Sequence, residues 1–133
     1  MAGLITLASP AVAGDLTVTI GGLPSDAGAV RAALYADEAS FKAQSEPVAA
    51  IVLKPHDKVA RFMVAGLPAG RYALATFQDV NGNGKLDTNL VGAPTEPWGF
   101  SNDAVGHFGP PDFAAASFAV PTDASTITVT VHP

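Results

Sequence analysis

Nine residues from Asp79 to Asp87, reading DVNGNGKLD, carry oxygen-bearing side chains at positions 1, 3, 5 and 9 and a glycine at position 6. Calcium takes six to eight oxygens at about 2.3–2.6 Å from a flexible loop, and EF-hand-type loops space them in this way around a glycine that turns sharply. Asp79, Asn81, Asn83 and Asp87 offer side-chain oxygens, Asp87 through a water, and Lys85 offers its backbone carbonyl. Leu86, at position 8, can point inward as an anchor. The pattern breaks at position 12, where a bidentate glutamate belongs and Leu90 stands. Glu96 is the preferred source of the missing ligand, with Asn89 nearer in the chain. With so few carboxylates the expected affinity is low, about 10⁻⁴ to 10⁻³ M. The expected role of the calcium is structural. The bland alternative is a metal-free turn, since Asn and Gly both serve where φ is positive. Four oxygens at alternating positions exceed what such a turn needs.

Other residues invite weaker readings. Trp98 and Phe100 flank Gly99. They read either as a stacking platform for a saccharide or a partner protein, or as pins that hold their segment down. His107 can be drawn toward Glu96, giving a hydrolase alternative. A Ser101–His107–acid set can also be written down. A triad is a matter of geometry, however, and no G-x-S-x-G elbow precedes Ser101. His107 otherwise reads as a cap or rim contact. Asp79, Asp87 and Glu96 could mimic a glycosidase carboxylate pair, but metal ligation is the simpler account of their spacing. His56 reads as a turn residue and His132 as a terminal one. Paired zinc-type histidines and a phosphate-cradling Gly-rich loop are both missing from the sequence.

Strands must position these groups. Leu16, Val18 and Ile20 alternate with Thr17 and Thr19, and Ile127, Val129 and Val131 alternate with Thr126, Thr128 and Thr130. That period of two marks half-buried strands. Further strands are expected over 30–35, 48–53, 59–64, 71–78 and 113–120, with one helical turn around Phe41. About seven short strands with turn signals between them predict an all-β fold, a single antiparallel β-sandwich over 14–133. The alternation fails from Asp79 to Asp112. A connection that long is uncommon inside a domain and is usually functional. Trp98, Phe100, Phe108 and several prolines give it the means to anchor itself.

The whole chain of 133 residues suits one domain. Glycine and proline make up 24 residues, which favours turns over long helices. A net charge of −5 without a basic patch argues against nucleic acid as partner. No apolar run is long enough for a membrane span, and the absence of cysteine removes a disulfide scaffold. Residues 1–13 end in Ala11-Val12-Ala13 after a short apolar run, which reads as the back end of a secretory signal. The expected location is therefore periplasmic or secreted, and the expected state a monomer.

The run GLPAGRYALATFQDVNGNGKLDTNLVGAPTEPWGFSNDAVGHFGPPDF, from Gly66 to Phe113, resembles a bacterial exported family, domain of unknown function 2141. The shared features are the GLP-x-G-x-YA entry, the D-x-NGNGKLDTN loop and the GFSN…GPP-x-F segment. The resemblance implies an exported β-sandwich and assigns no activity. Members often carry His where Gln78 stands, so any chemistry of that histidine would be missing here. The GLPAGRY run also resembles the hairpin turn of transthyretin-like and carboxypeptidase-regulatory-like sandwiches, in which the tyrosine packs inward. From all this the first expectation is a non-catalytic module whose calcium-ordered loop presents Trp98, Phe100 and His107 to an unidentified protein or saccharide. The alternatives are a hydrolase using Glu96 and His107, and a purely structural envelope protein.

Overall fold

The computed structural model describes residues 13–106 and 110–132. The expected signal segment, apart from its last residue, and His107 lie outside them. The described chain forms eight strands, in order β1 (Ala13–Gly21), β2 (Ala29–Tyr35), β3 (Ala49–Leu53), β4 (Ala60–Pro68), β5 (Gly70–Asp79), β6 (Trp98–Phe100), β7 (Phe118–Val120) and β8 (Ser125–Thr130). Two short helices, α1 (Glu38–Ala43) and α2 (Phe113–Ala116), and a 3₁₀ turn at Ser101–Asp103 complete it.

The strands make two sheets, β4-β1-β8 and β3-β2-β5-β6, with β7 also paired to β5. Between the sheets lies an apolar core that includes Leu16, Val18, Ile20, Val30, Leu34, Leu74 and Val129, none of them accessible to solvent. The expected all-β sandwich is therefore present. All pairs between named strands are antiparallel except β1–β8, which runs parallel from Leu16↔Ser125 to Gly21↔Thr130. Alternation reports which face a residue occupies and is blind to strand direction, so this pair could not be read from the sequence.

The strand expected over 113–120 is corrected. Its first half is the helix α2, and only Phe118–Val120 is extended. Asp112 precedes three alanines and a phenylalanine, and alanine is the strongest helix former. The helical turn expected around Phe41 is α1, capped by the Asp37 carboxylate, which accepts from the Ser40 amide at 2.8 Å. The long segment after Asp79 also contains the short strand β6, too brief for any period to show.

β5 is buried on both faces. Its even-numbered residues face the sandwich core. On the other side Ala73 joins Tyr35, Phe41 and Ala116 in a second apolar cluster beneath the two helices. Along one edge β5 pairs first with β7 at Gly70–Tyr72 and then with β6 at Ala75–Phe77. Ser101 fills the gap between them. Its hydroxyl accepts from Leu74 N at 2.9 Å and donates to the carbonyl of Ala116. Tyr72 is buried as expected, and its hydroxyl donates back to the Pro68 carbonyl across the corner between the sheets.

Candidate functional site

The loop begins where β5 ends beside the start of β2. Gly28 sits there at φ 65°, and a Cβ on it would fall 2.0 Å from the Asp79 carbonyl oxygen. Only glycine lets the two backbones meet this closely. Asp79 is fully buried. Its Oδ2 accepts from Arg31 Nε at 2.8 Å and from Gly84 N at 2.8 Å, and its Oδ1 accepts from Asn83 N at 3.2 Å. The Arg31 hydrogen bond, against the desolvation of burial and with help from the loop amides, holds the carboxyl below its ordinary value of 3.8. Asp79 thus stays ionised and organises the turn around itself.

The loop rim is more exposed. Asn81 Nδ2 donates to Asp87 Oδ2 and Asn83 Nδ2 donates to Asp87 Oδ1, both at 2.6 Å. Asn81 Oδ1 accepts from Asn83 N at 3.2 Å and Asn83 Oδ1 from Lys85 N at 3.1 Å, two successive Asx turns. Gly84, the position-6 glycine, has φ 85° as the sharp turn requires. The structure therefore brings Asn81, Asn83 and Asp87 together beside the Asp79 turn, with Lys85 on the same loop. Glu96 also comes to the loop, as a brace. Its Oε2 accepts from Val80 N at 2.8 Å and its Oε1 from Asp87 N at 2.9 Å, so it ties both ends of the loop to β6. Among the described residues, no three His, Cys, Asp or Glu side chains gather as a metal-ligating group. Beyond the loop, Asn89 caps a second turn by accepting from Val91 N and Ala93 N.

Trp98 and Phe100 stand on the outer face of the second sheet, partly exposed. Phe100 meets Phe41 edge-on at 5.8 Å, so it helps to pin the segment onto the helix-covered cluster. Trp98 pairs with Phe77 in β5 and, through a bridge, with His132. That bridge joins the end of the first sheet to β6, through Trp98 N→His132 O at 2.9 Å and His132 N→Trp98 O at 2.7 Å. Gly99 makes the approach possible, since a Cβ there would lie 2.7 Å from the Thr130 carbonyl oxygen.

The family model described as an uncharacterized protein conserved in bacteria, DUF2141, matches residues 18–128. The chain belongs to this family. No curated protein and no solved structure matches it.

For this member of DUF2141 the remaining expectations divide sharply. Ser101 is buried at 1% exposure, with its hydroxyl spent on backbone, which removes it as a nucleophile. His107 lies outside the described residues. Gln78 is fully buried on the core side of β5 and donates to the carbonyls of Ser25 and Ala27, so it clamps the β1–β2 connection and does not serve the loop. Among the described residues, no helix is long and apolar enough to cross a membrane. Arg31 and Phe77 were missed. In the sequence they are ordinary positions of two strands 46 residues apart, and only the β2–β5 register, Arg31↔Phe77, makes them neighbours.

Proposed function

We propose that this protein is an exported, non-catalytic binding module of the periplasm or the cell exterior, in which a calcium-stabilised loop holds a binding surface in place. The convergence of Asn81, Asn83 and Asp87 beside the buried Asp79 supports this reading. Rotating the two amides would turn their oxygens inward in place of their nitrogens, at the cost of the two Asx-turn hydrogen bonds from Asn83 N and Lys85 N. Those oxygens, the Asp79 and Asp87 carboxylates and the Lys85 carbonyl form a hard-oxygen set of the kind calcium takes. Glu96 braces the backbone of that set through Val80 N and Asp87 N, one amide on each of its oxygens. Two carboxylates give weak binding, in the millimolar range of extracellular modules. The surface held in place carries Trp98 and Phe100, and its partner is a protein or a saccharide.

A thermal melt in EDTA, then with calcium or magnesium, tests the metal. Calcium at 100 times its Kd adds about 2.7 kcal/mol, a Tm rise of several degrees. Magnesium should do much less, because it demands a tighter octahedral shell. Asp87→Asn should abolish the rise, and no rise in the parent protein would overturn the calcium reading. Asp79 is the poorer variant, because it also serves Arg31 with no metal involved.

A further inference from the structure

The outer face of the second sheet is covered by α1 and α2 at one end and open at the other. The open end carries one continuous row. Val52 pairs with Arg31, Arg31 with Phe77, Phe77 with Trp98 and Trp98 with His132. Register partners on adjacent strands stand on the same face. Three strand spacings of about 4.8 Å place Arg31 and His132 about 14 Å apart, longer than a single sugar ring. The neighbouring row is Ala50, Ala33 and Ala75, ending in Phe100. Ala33, Ala75 and Phe100 of that row pack against the helix-covered cluster, so the row from Val52 to His132 borders it on the open side. Gly84 of the loop flanks the row at Arg31, since a Cβ on it would lie 3.9 Å from an Arg31 terminal nitrogen.

We propose that this row is a binding site for a neutral oligosaccharide, with Trp98 and Phe77 as its stacking rings and Arg31 as its hydrogen-bond donor. The inference rests on the binding-module reading above and is independent of calcium. Arg31 is one-third exposed, and its Nε is committed to Asp79. Among the described residues its two terminal nitrogens have no hydrogen-bond partner, nor does the Trp98 indole nitrogen. The ion pair holds the guanidinium plane before any ligand arrives, which lowers the ordering cost of binding. The available groups are N–H donors beside aromatic faces. They fit a ligand with hydroxyl acceptors and an apolar C–H face, which is the chemistry of a sugar ring. Charge selects the neutral class, because Asp79 already compensates Arg31 and the whole chain carries −5. A protein-docking face would have a broader apolar centre than two rings and Val52.

Trp98 is the sole tryptophan, so its fluorescence reports on the site directly. The probes are maltohexaose, cellohexaose, xylohexaose and chitohexaose, titrated to about 10 mM to reveal a Kd near 1 mM, with oligogalacturonate as the acidic comparator. The expected result is a saturable change with at least one neutral hexasaccharide, weakened about tenfold by Phe77→Ala as one stacking contact is lost. The exposed variant His132→Ala, which leaves the core untouched, should weaken it less. No response to any neutral sugar, a response to oligogalacturonate alone, or titrations unchanged in Phe77→Ala would overturn the proposal and leave the row as a protein-docking face or plain sheet surface. Repeating the titration in EDTA separates the two readings. Binding that persists where calcium gives no Tm rise keeps the sugar site and removes the metal, and a calcium rise without sugar binding does the reverse.

Discussion

The same face of β2 and β5 is closed in two different ways at its two ends. At one end Phe41 is fully buried and meets the rings of Tyr35, Phe100 and Phe113 edge-on at 5.7, 5.8 and 6.0 Å. Apolar volume holds that end. At the other end a polar turn replaces the helices. Asp79 and Glu96 accept five hydrogen bonds between them, four from loop amides and one from Arg31. Packing is indifferent to direction, whereas a hydrogen-bonded turn fixes directions while leaving its rim wet. Apolar packing therefore fixes one end, and directed hydrogen bonds fix the other.

The contrast can be broken at either end. Phe41→Ala should cost about 3–5 kcal/mol, read as a fall in Tm, because it empties the centre of the aromatic cluster. Gly28→Ala should cost about 2–4 kcal/mol, from the positive φ together with the collision with the Asp79 carbonyl. Its signature is that no smaller side chain elsewhere compensates. Glu96→Ala should cost about 1–3 kcal/mol by leaving the Val80 and Asp87 amides without their acceptor. Hydrogen exchange should then accelerate at those two amides while β1 and β8 stay protected. If Glu96→Ala matched Phe41→Ala in cost, the loop would be part of the core and the comparison would fail.

The smallest effect is the one that disappears in acid. The Asp79 carboxyl is held below its ordinary value by Arg31, so the stability it contributes is present above about pH 4. It is lost as pH falls through the depressed value and the carboxylate protonates. Asp79→Asn should therefore lower Tm at neutral pH, with the gap to the parent protein closing in melts taken down to about pH 2. A gap that stayed constant with pH would assign the loss to geometry and not to the charge.

Much of the frame was legible because it rests on local rules. The threonine alternation of β1 and β8, the helical turn around Phe41 and the turn chemistry of the loop each depend on residues a few positions apart. The failures also have local causes. The three alanines after Phe113 outweighed the strand pattern around them, and β6 was too short to carry a period. Glu96 was expected at the loop from its proximity in the chain, and it arrived as a brace on two amides. Ser101, written down as a possible nucleophile, instead fills the gap between β6 and β7.

By itself the sequence determined which residues are buried along each clear strand, that the chain is an all-β sandwich, and that Asp79–Asp87 is a turn rich in oxygen-bearing side chains. Those properties follow from side-chain period and from hydrogen bonds within a few residues. Tertiary structure alone decided that β1 and β8 run parallel, that Arg31 reaches Asp79 across 48 positions, and that Val52, Arg31, Phe77, Trp98 and His132 stand in one row. Register between distant strands is set by how two whole faces pack, and no stretch of neighbouring residues encodes it.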